Sequence, residues 1–574
     1  MTQREVIMSE LLKIVSSQYK NIIGRRDEGL DSRTISRATM LKNDTFSFQA
    51  LYRTDDKVKP VNLSAEGELP LFAWRVDTVP IVDPRSAPDC AAYEWNAPGL
   101  YPDILMPRPA SPDKVKITTV WKPDLIREDT DALLNASNGF FQSVWFTVNP
   151  DGKLLQTGEY KIKVTLTDVN DPITVLGEET ITIEVLDCSL PDQTVYYTNW
   201  FHVDCVCDMF GVRPYSNKFY RIFDEYVKNM VTHRQNVLLL PAFTPPLDTR
   251  IGEERMNVQL ADVEKTPGGW VFGFDKMRRF VRHAKRYGIK FFEHSHLFSQ
   301  WGAEHAPNIY NRNGKRLFGF ETDASGKEYV EFIRAYLVEF LKFAREEKIE
   351  KKIIFHISDE PTLKHLESYR TAHRAVADLF GGNPVCDAMS DVKYFTEGLV
   401  DQPIFHVGHM TDEIEKSCNS FWLYYTGGEV DTSNRKISNT AAATRAIGVQ
   451  MYKYNALGFL QWAYNFYYDQ LSLGFCNPAS NPAAYKLSPG IAYLCYPILA
   501  KGKSIVAPSI REKLMGEAID DLRALKLLES RIGRDATLAL CEKYLGRIDT
   551  RTVPCGETLR LLREEVNRTI IKNL

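Results

Sequence analysis

The sequence predicts a multidomain α/β plus all-β protein: an N-terminal β-sandwich, a central (β/α)8 barrel of the TIM type and a C-terminal helical segment. Three observations lead there. At 574 residues the chain exceeds what one hydrophobic core supports. Up to residue 192 it is written in short stretches that alternate apolar and polar residues. Beyond that point strand-like and helix-like stretches alternate, the pattern of parallel strands joined by crossover helices.

Residues 1–30 read as a helical extension, an amphipathic helix followed by a charged loop. Residues 31–192 read as the sandwich. In its clearest strand, 160–166, Tyr160, Ile162, Val164 and Leu166 alternate with polar residues, and 181–185 and 144–148 repeat the pattern, as half-buried antiparallel strands do. Residues 193–508 read as the barrel. Its eight strands are expected at 195–202, 236–240, 290–294, 353–357, 384–386, 403–407, 421–424 and 458–462. Its best helix begins at Lys327, with Val330, Ile333, Leu337, Phe340 and Ala344 on one stripe. Residues 509–574 read as helices packing on the barrel.

Composition narrows the function. A net charge of -3 gives no basic footprint for nucleic acid. No run approaches the length of a membrane span, and Met1-Thr-Gln-Arg-Glu5 precedes no apolar signal core, so the reading is a cytoplasmic protein. The ten cysteines lack metal-type spacing, and Cys205 and Cys207 read as free thiols on one strand face. The 27 Tyr and 9 Trp suit a sugar cleft, although most must be core.

The stretch 355–361, FHISDEP, places Asp359 and Glu360 where a buried strand gives way to loop, since Pro361 cannot continue a ladder. In a barrel, residues at the C-terminal ends of the strands form the site. His202 and Asp204 follow the first strand, Asp248 the second, His294 and His296 the third. Asp387 ends the fifth, His406 and His409 the sixth. Tyr424 and Tyr425 end the seventh, and Trp462, Tyr464 and Asn465 the eighth. His294 and His296 raise a metal reading, but no third ligand is indicated by spacing, and no metal or other cofactor is expected.

Several runs together resemble glycoside hydrolase family 123: HISDEP (356–361), FTPPLDT (243–249) with ERMNVQL (254–260), HLFSQWGA (296–303), and GFLQWAYN (458–465). The resemblance spans roughly residues 195–535. It implies a retaining exo-β-N-acetylgalactosaminidase working by substrate assistance, in which the sugar's acetamido oxygen attacks the anomeric carbon and forms an oxazoline or oxazolinium intermediate. By motif position Glu360 resembles the general acid, protonated at rest, and Asp359 the ionised partner of the acetamido N–H. Trp462 is then the wall against the sugar ring, Tyr425 the partner of the acetamido carbonyl, and His296, Asp387 and Asn465 contacts to sugar hydroxyls. The expected partner is a carbohydrate, an oligosaccharide or small glycoside. Two alternatives stay open: a glycosidase with a covalent nucleophile such as Asp204 or Asp387, and a carbohydrate-binding protein without turnover.

Overall fold

The computed structural model describes residues 11–23, 25, 30–83, 97–107, 134–245, 249–250, 253–299, 302–428, 432–483, 487–500, 503–554 and 557–574. Period-two patterning builds its first part. Strands β1 (Leu12–Ser16), β3 (Phe46–Tyr52), β8 (Gln142–Val148), β5 (Leu71–Ile81) and β6 (Gly99–Pro107) lie side by side in that order. A second sheet runs β2 (Arg37–Leu41), β10 (Val175–Leu186), β9 (Gly158–Asp168), β4 (Val58–Glu66) and β7 (Leu134–Ser137). Phe48, Phe146 and Val148 from one sheet and Ile162, Val164, Leu166, Ile181 and Ile183 from the other share one core. The strand β1 corrects the expectation of a helical extension over residues 1–30. Leu11, Leu12, Ile14 and Val15 fit a helical stripe as well as a strand, and pairing with β3, Leu12 opposite Tyr52, decides between them. Residues 1–10 lie outside the described residues.

The second part alternates strands and helices. Its parallel strands are β11 (Tyr196–Asn199), β12 (Val237–Leu240), β15 (Phe291–His294), β18 (Ile353–Ile354), β19 (Ala388–Met389), β20 (Ile404–His406), β21 (Trp422–Tyr424) and β22 (Gly458–Gln461). Hairpins β13 (Asp262–Thr266) with β14 (Gly269–Gly273), and β16 (Ile309–Tyr310) with β17 (Arg316–Phe318), are inserted among them. The helices between them are α1 (Val203–Phe210), α2 (Asn217–Thr232), α3 (Asp275–Tyr287), α4 (Lys327–Glu346), α5 (Leu366–Val376), α6 (Lys393–Thr396), α7 (Asp412–Ser417), α8 (Ala441–Arg445) and α9 (Ile447–Tyr454). Cys205 and Cys207 therefore sit on a helix and not on the first strand, which stops at Asn199.

The parallel strands form a five-stranded half-barrel sheet, β11-β22-β21-β20-β19, and a three-stranded sheet, β12-β15-β18, in place of one continuous ladder of eight. At one junction the Asn236 N–H donates to the Tyr197 carbonyl at 3.2 Å. At the other, an isolated parallel bridge joins Phe355 to Val385. Strand alternation sorts the side chains between two cores. Val237, Leu239, Ile354, Ile404, Trp422 and Leu460 gather with Trp200, while Leu238, Phe292, Phe405, Leu423 and Phe459 pack with the helices.

The chain ends in a hairpin, β23 (Cys495–Ala500) with β24 (Lys503–Pro508), and helices α10 (Ile510–Ile532), α11 (Arg534–Leu545) and α12 (Thr558–Lys572). Ser509 caps α10, its hydroxyl accepting the Glu512 N–H. These helices join the two parts. Arg511 forks onto Asp103 of β6 with Nε–Oδ1 2.9 Å and Nη2–Oδ2 2.8 Å, both side chains fully buried, and α12 lies against β2.

Candidate active site

Four layers of contact fix the loop that follows β18. The chain leaves the strand still paired, with Leu297 and Phe298 N–H groups donating to the carbonyls of His356 and Ile357. From just ahead of β19, Asp387 accepts the backbone N–H groups of Ile357 at 3.0 Å and Ser358 at 3.2 Å, and the Tyr369 hydroxyl at 2.5 Å. Ser358 is buried and latches the neighbouring loop, its hydroxyl donating to the Ser299 carbonyl at 2.8 Å and accepting the Gly302 N–H at 3.3 Å. Beneath lies His356, with Nε2 3.1 Å from Glu293 and Nδ1 3.3 Å from Asp387. Glu293 is itself held by the Thr198 hydroxyl at 2.5 Å and the Trp200 indole N–H at 3.0 Å.

On this platform Asp359 is half-buried and Glu360 is exposed. Glu360 has φ +44°, and Pro361 follows it. A non-glycine residue in that region costs on the order of 1–3 kcal/mol and persists only where its surroundings impose it. The Tyr424 hydroxyl donates to Glu360 Oε1 at 2.9 Å.

Burial and the neighbouring Glu360 and Asp387 charges push the Asp359 carboxyl well above the usual carboxylate range, against the opposing pull of His356. The like charge beside it and the loss of solvent both work against the ionised form expected of Asp359 at rest. His356 is raised to about 9, because hydrogen bonds and charges from Asp387 and Glu293 outweigh the burial that opposes its charge. His296 is held well below its ordinary value by burial and by the His356 charge.

The remaining sequence candidates divide. Trp462 is partly exposed, its ring edge-on to Phe466 at 5.1 Å, and can offer a face to a ligand. His296 is buried beside the His356 ring at 5.0 Å, and among the described residues its Nδ1 has no hydrogen-bond partner. Three assignments are corrected. Tyr425 points out of the ring to Met515 of α10, 3.5 Å from its sulfur, because successive residues of a strand face opposite ways and Tyr424 takes the inward position. Asn465 is fully buried and spends its amide on His202, accepting the backbone N–H at 2.9 Å and donating to the carbonyl at 3.0 Å. Asp387 is fully buried beneath the loop and carries it, so no oxygen is left to meet a sugar.

His202 lies between the Trp462 carbonyl and Arg255. Asp204 is buried and paired with the Arg255 guanidinium at 2.7 Å. His294 turns outward to the Tyr336 hydroxyl at 2.8 Å, so it cannot share an ion with His296. Among the described residues the nearest approach to a ligand set is His296, His356 and Asp387, with atoms within 4.8 Å of one another. It does not fit a metal, since Asp387 is saturated by backbone and phenol donors and His356 faces a carboxylate at each nitrogen. Asp248 and Trp301 lie outside the described residues. Glu293, His356 and Ser358 are the supporting residues that sequence reasoning left without a role. The period-two parity of Tyr424 with Trp422 was the signal that could have selected it.

The family model described as glycoside hydrolase 123, catalytic domain, matches residues 200–528. By sequence, no curated protein matches. In three dimensions the chain is similar to a family 123 glycoside hydrolase from Clostridium perfringens, solved in a study of glycolipid glycan hydrolysis, with 13% identity, TM-score 0.71 and 98% of each chain covered. It also matches a β-glucuronidase from Bifidobacterium dentium at 10% identity and TM-score 0.29, covering 88% of this chain and 66% of that one, a likeness that carries no argument.

Proposed function

The chain belongs to glycoside hydrolase family 123, and on that premise we propose that it is a retaining exo-glycosidase that removes terminal β-linked N-acetylgalactosamine by substrate assistance. In this reading residues 193–508 are the catalytic unit, a (β/α)8 barrel whose ladder opens at two seams. The sandwich, 31–192, and the helical segment, 509–574, buttress it. Glu360 protonates the leaving oxygen and then activates water. Asp359 accepts the acetamido N–H and stabilises the positive charge that develops as the oxazolinium closes. One proton serves the pair. It rests on Asp359 without ligand, and the arriving acetamido N–H, which needs an acceptor, favours its transfer to Glu360. Tyr424 orients Glu360, and Trp462 offers the sugar an apolar face.

The observation that carries the reading is the contrast among carboxylates. Asp204 and Asp387, the residues a covalent mechanism would need, are buried and committed to Arg255 and to backbone N–H groups. Asp359 and Glu360 are the pair that opens to solvent. The test is a panel of aryl glycosides. Hydrolysis of the β-N-acetylgalactosaminide with strong inhibition by the matching thiazoline is the expected result. Equal hydrolysis of the plain β-galactoside, or labelling of Asp204 by a fluorosugar, would sink it. Binding without turnover would make the protein a lectin.

A further inference from the structure

His356 lies at 1% exposure under the Asp359–Glu360 loop and no step above uses its chemistry. Its two nitrogens face two carboxylates, Glu293 at 3.1 Å and Asp387 at 3.3 Å. The oxygens that meet it also accept from groups that can only donate: Glu293 Oε1 from the Trp200 indole N–H, and Asp387 Oδ1 from the Ile357 N–H at 3.1 Å. Both carboxylates are thus placed as acceptors, and a ring that satisfies both must carry a hydrogen on each nitrogen. The remaining titratable groups facing it are His296, whose ring is 5.0 Å away, and Asp359. Neither supplies a competing cation.

We propose that His356 is held as a buried imidazolium bridging Glu293 and Asp387, and that it is a positioning residue for the Asp359–Glu360 pair. It acts twice. Through Asp387 it fixes the N–H groups of Ile357 and Ser358, and so the strained Glu360 backbone. Through its charge it favours the ionised Asp359 that must receive the acetamido N–H. Without the cation, two buried carboxylates would face each other across a neutral ring, a cost that removal of one member of a buried charge set incurs.

The inference rests on the roles given to Asp359 and Glu360, but its first test is independent of them. In protein labelled with ¹⁵N-histidine, both His356 ring nitrogens should be protonated at pH 7 and stay so to about pH 8, short of the raised value of about 9. The His356→Gln spectrum assigns the signal. A bare ring nitrogen at pH 7 overturns the proposal, and one that changes on EDTA dialysis would mark a metal ligand instead. In the second test, His356→Gln should lower kcat by about 10²-fold, the scale of a misplaced catalytic group. The basic limb of its kcat/KM profile should move up by about one pH unit as Asp359 loses a neighbouring cation. A variant that only melts earlier, with kcat and the basic limb unmoved, shows a packing residue and overturns the proposal. Should that variant not fold, the wild-type spectrum still decides. Full turnover in Glu360→Gln would instead refute the functional reading and leave the spectrum unaffected.

Discussion

Glu360 shows how much one side chain owes to its surroundings. It stands at φ +44° with Tyr424 on its carboxylate, the kind of fixed, solvent-facing acid that proton transfer needs. Glu360→Gln is expected to lower turnover by roughly 10² to 10⁴-fold, less for aryl leaving groups that need little protonation, as a leaving-group series would measure. Asp359 gives the pH dependence. Its pKa is raised by burial and by the Glu360 and Asp387 charges, and the mechanism uses its ionised form. The proton it gives up must pass to Glu360, however, so activity is present below the raised pKa, where the pair still holds its one proton, and is lost as pH rises through it. Asp359→Asn should displace that basic limb and weaken thiazoline binding while leaving substrate KM little changed. The sign for stability is the same. The folded state binds the Asp359 proton more tightly than the unfolded state, so ionising it costs stability as pH rises, and Asp359→Asn should raise Tm at pH 7.

At the scale of elements, the catalytic loop is a junction of three strand ends. The loop after β18 is held by Asp387 ahead of β19 and by Ser299 and Gly302 after β15. Ser358→Ala removes a buried hydroxyl that serves as donor and acceptor. Leaving the Ser299 carbonyl and Gly302 N–H unsatisfied should cost about 1–3 kcal/mol in urea unfolding and lower kcat more than it changes KM. Gly302 has a narrower tolerance. At φ +125° an added Cβ would meet the His365 ring at 2.9 Å, so Gly302→Ala should displace the same loop and mimic the kinetic effect of Ser358→Ala.

For the whole molecule, the C-terminal helices tie the sandwich to the strands that carry the site. Asp103 of β6 and Arg511 of α10 are both fully buried and lie 2.8 Å apart. The Arg511 guanidinium also donates to the carbonyls of Gly490 and Tyr493 behind the last strand. Nearby, Arg445 of α8 pairs with Asp521 of α10 at 2.6 Å. Asp103→Ala strands a buried cation and should cost about 3–5 kcal/mol, read as a lower urea midpoint for both parts together. Separate transitions, with the sandwich alone destabilised, would mean that the helices do not couple them.

The amino-acid sequence by itself determined the alternating strands at 160–166 and 181–185, the parallel strands between 195 and 462 save the fifth, expected at 384–386 and found at Ala388–Met389, and the FHISDEP carboxylates, because periodicity and turn chemistry are local properties. It also carried the family, through motifs that need no structure to be read. Tertiary structure alone decided what long-range contacts decide. The stripe of Leu11, Leu12, Ile14 and Val15 became a strand only on pairing with β3. Tyr424, not Tyr425, faces Glu360 because the register of β21 in the ring sets which parity points inward. Asp387, just ahead of β19, and Asn465, beyond β22, are claimed by partners, Ile357, Ser358 and His202, that come from other strands' ends. The charge state of the site is likewise collective, since Asp359 is tuned by Glu360, Asp387 and His356, and only folding sets their distances.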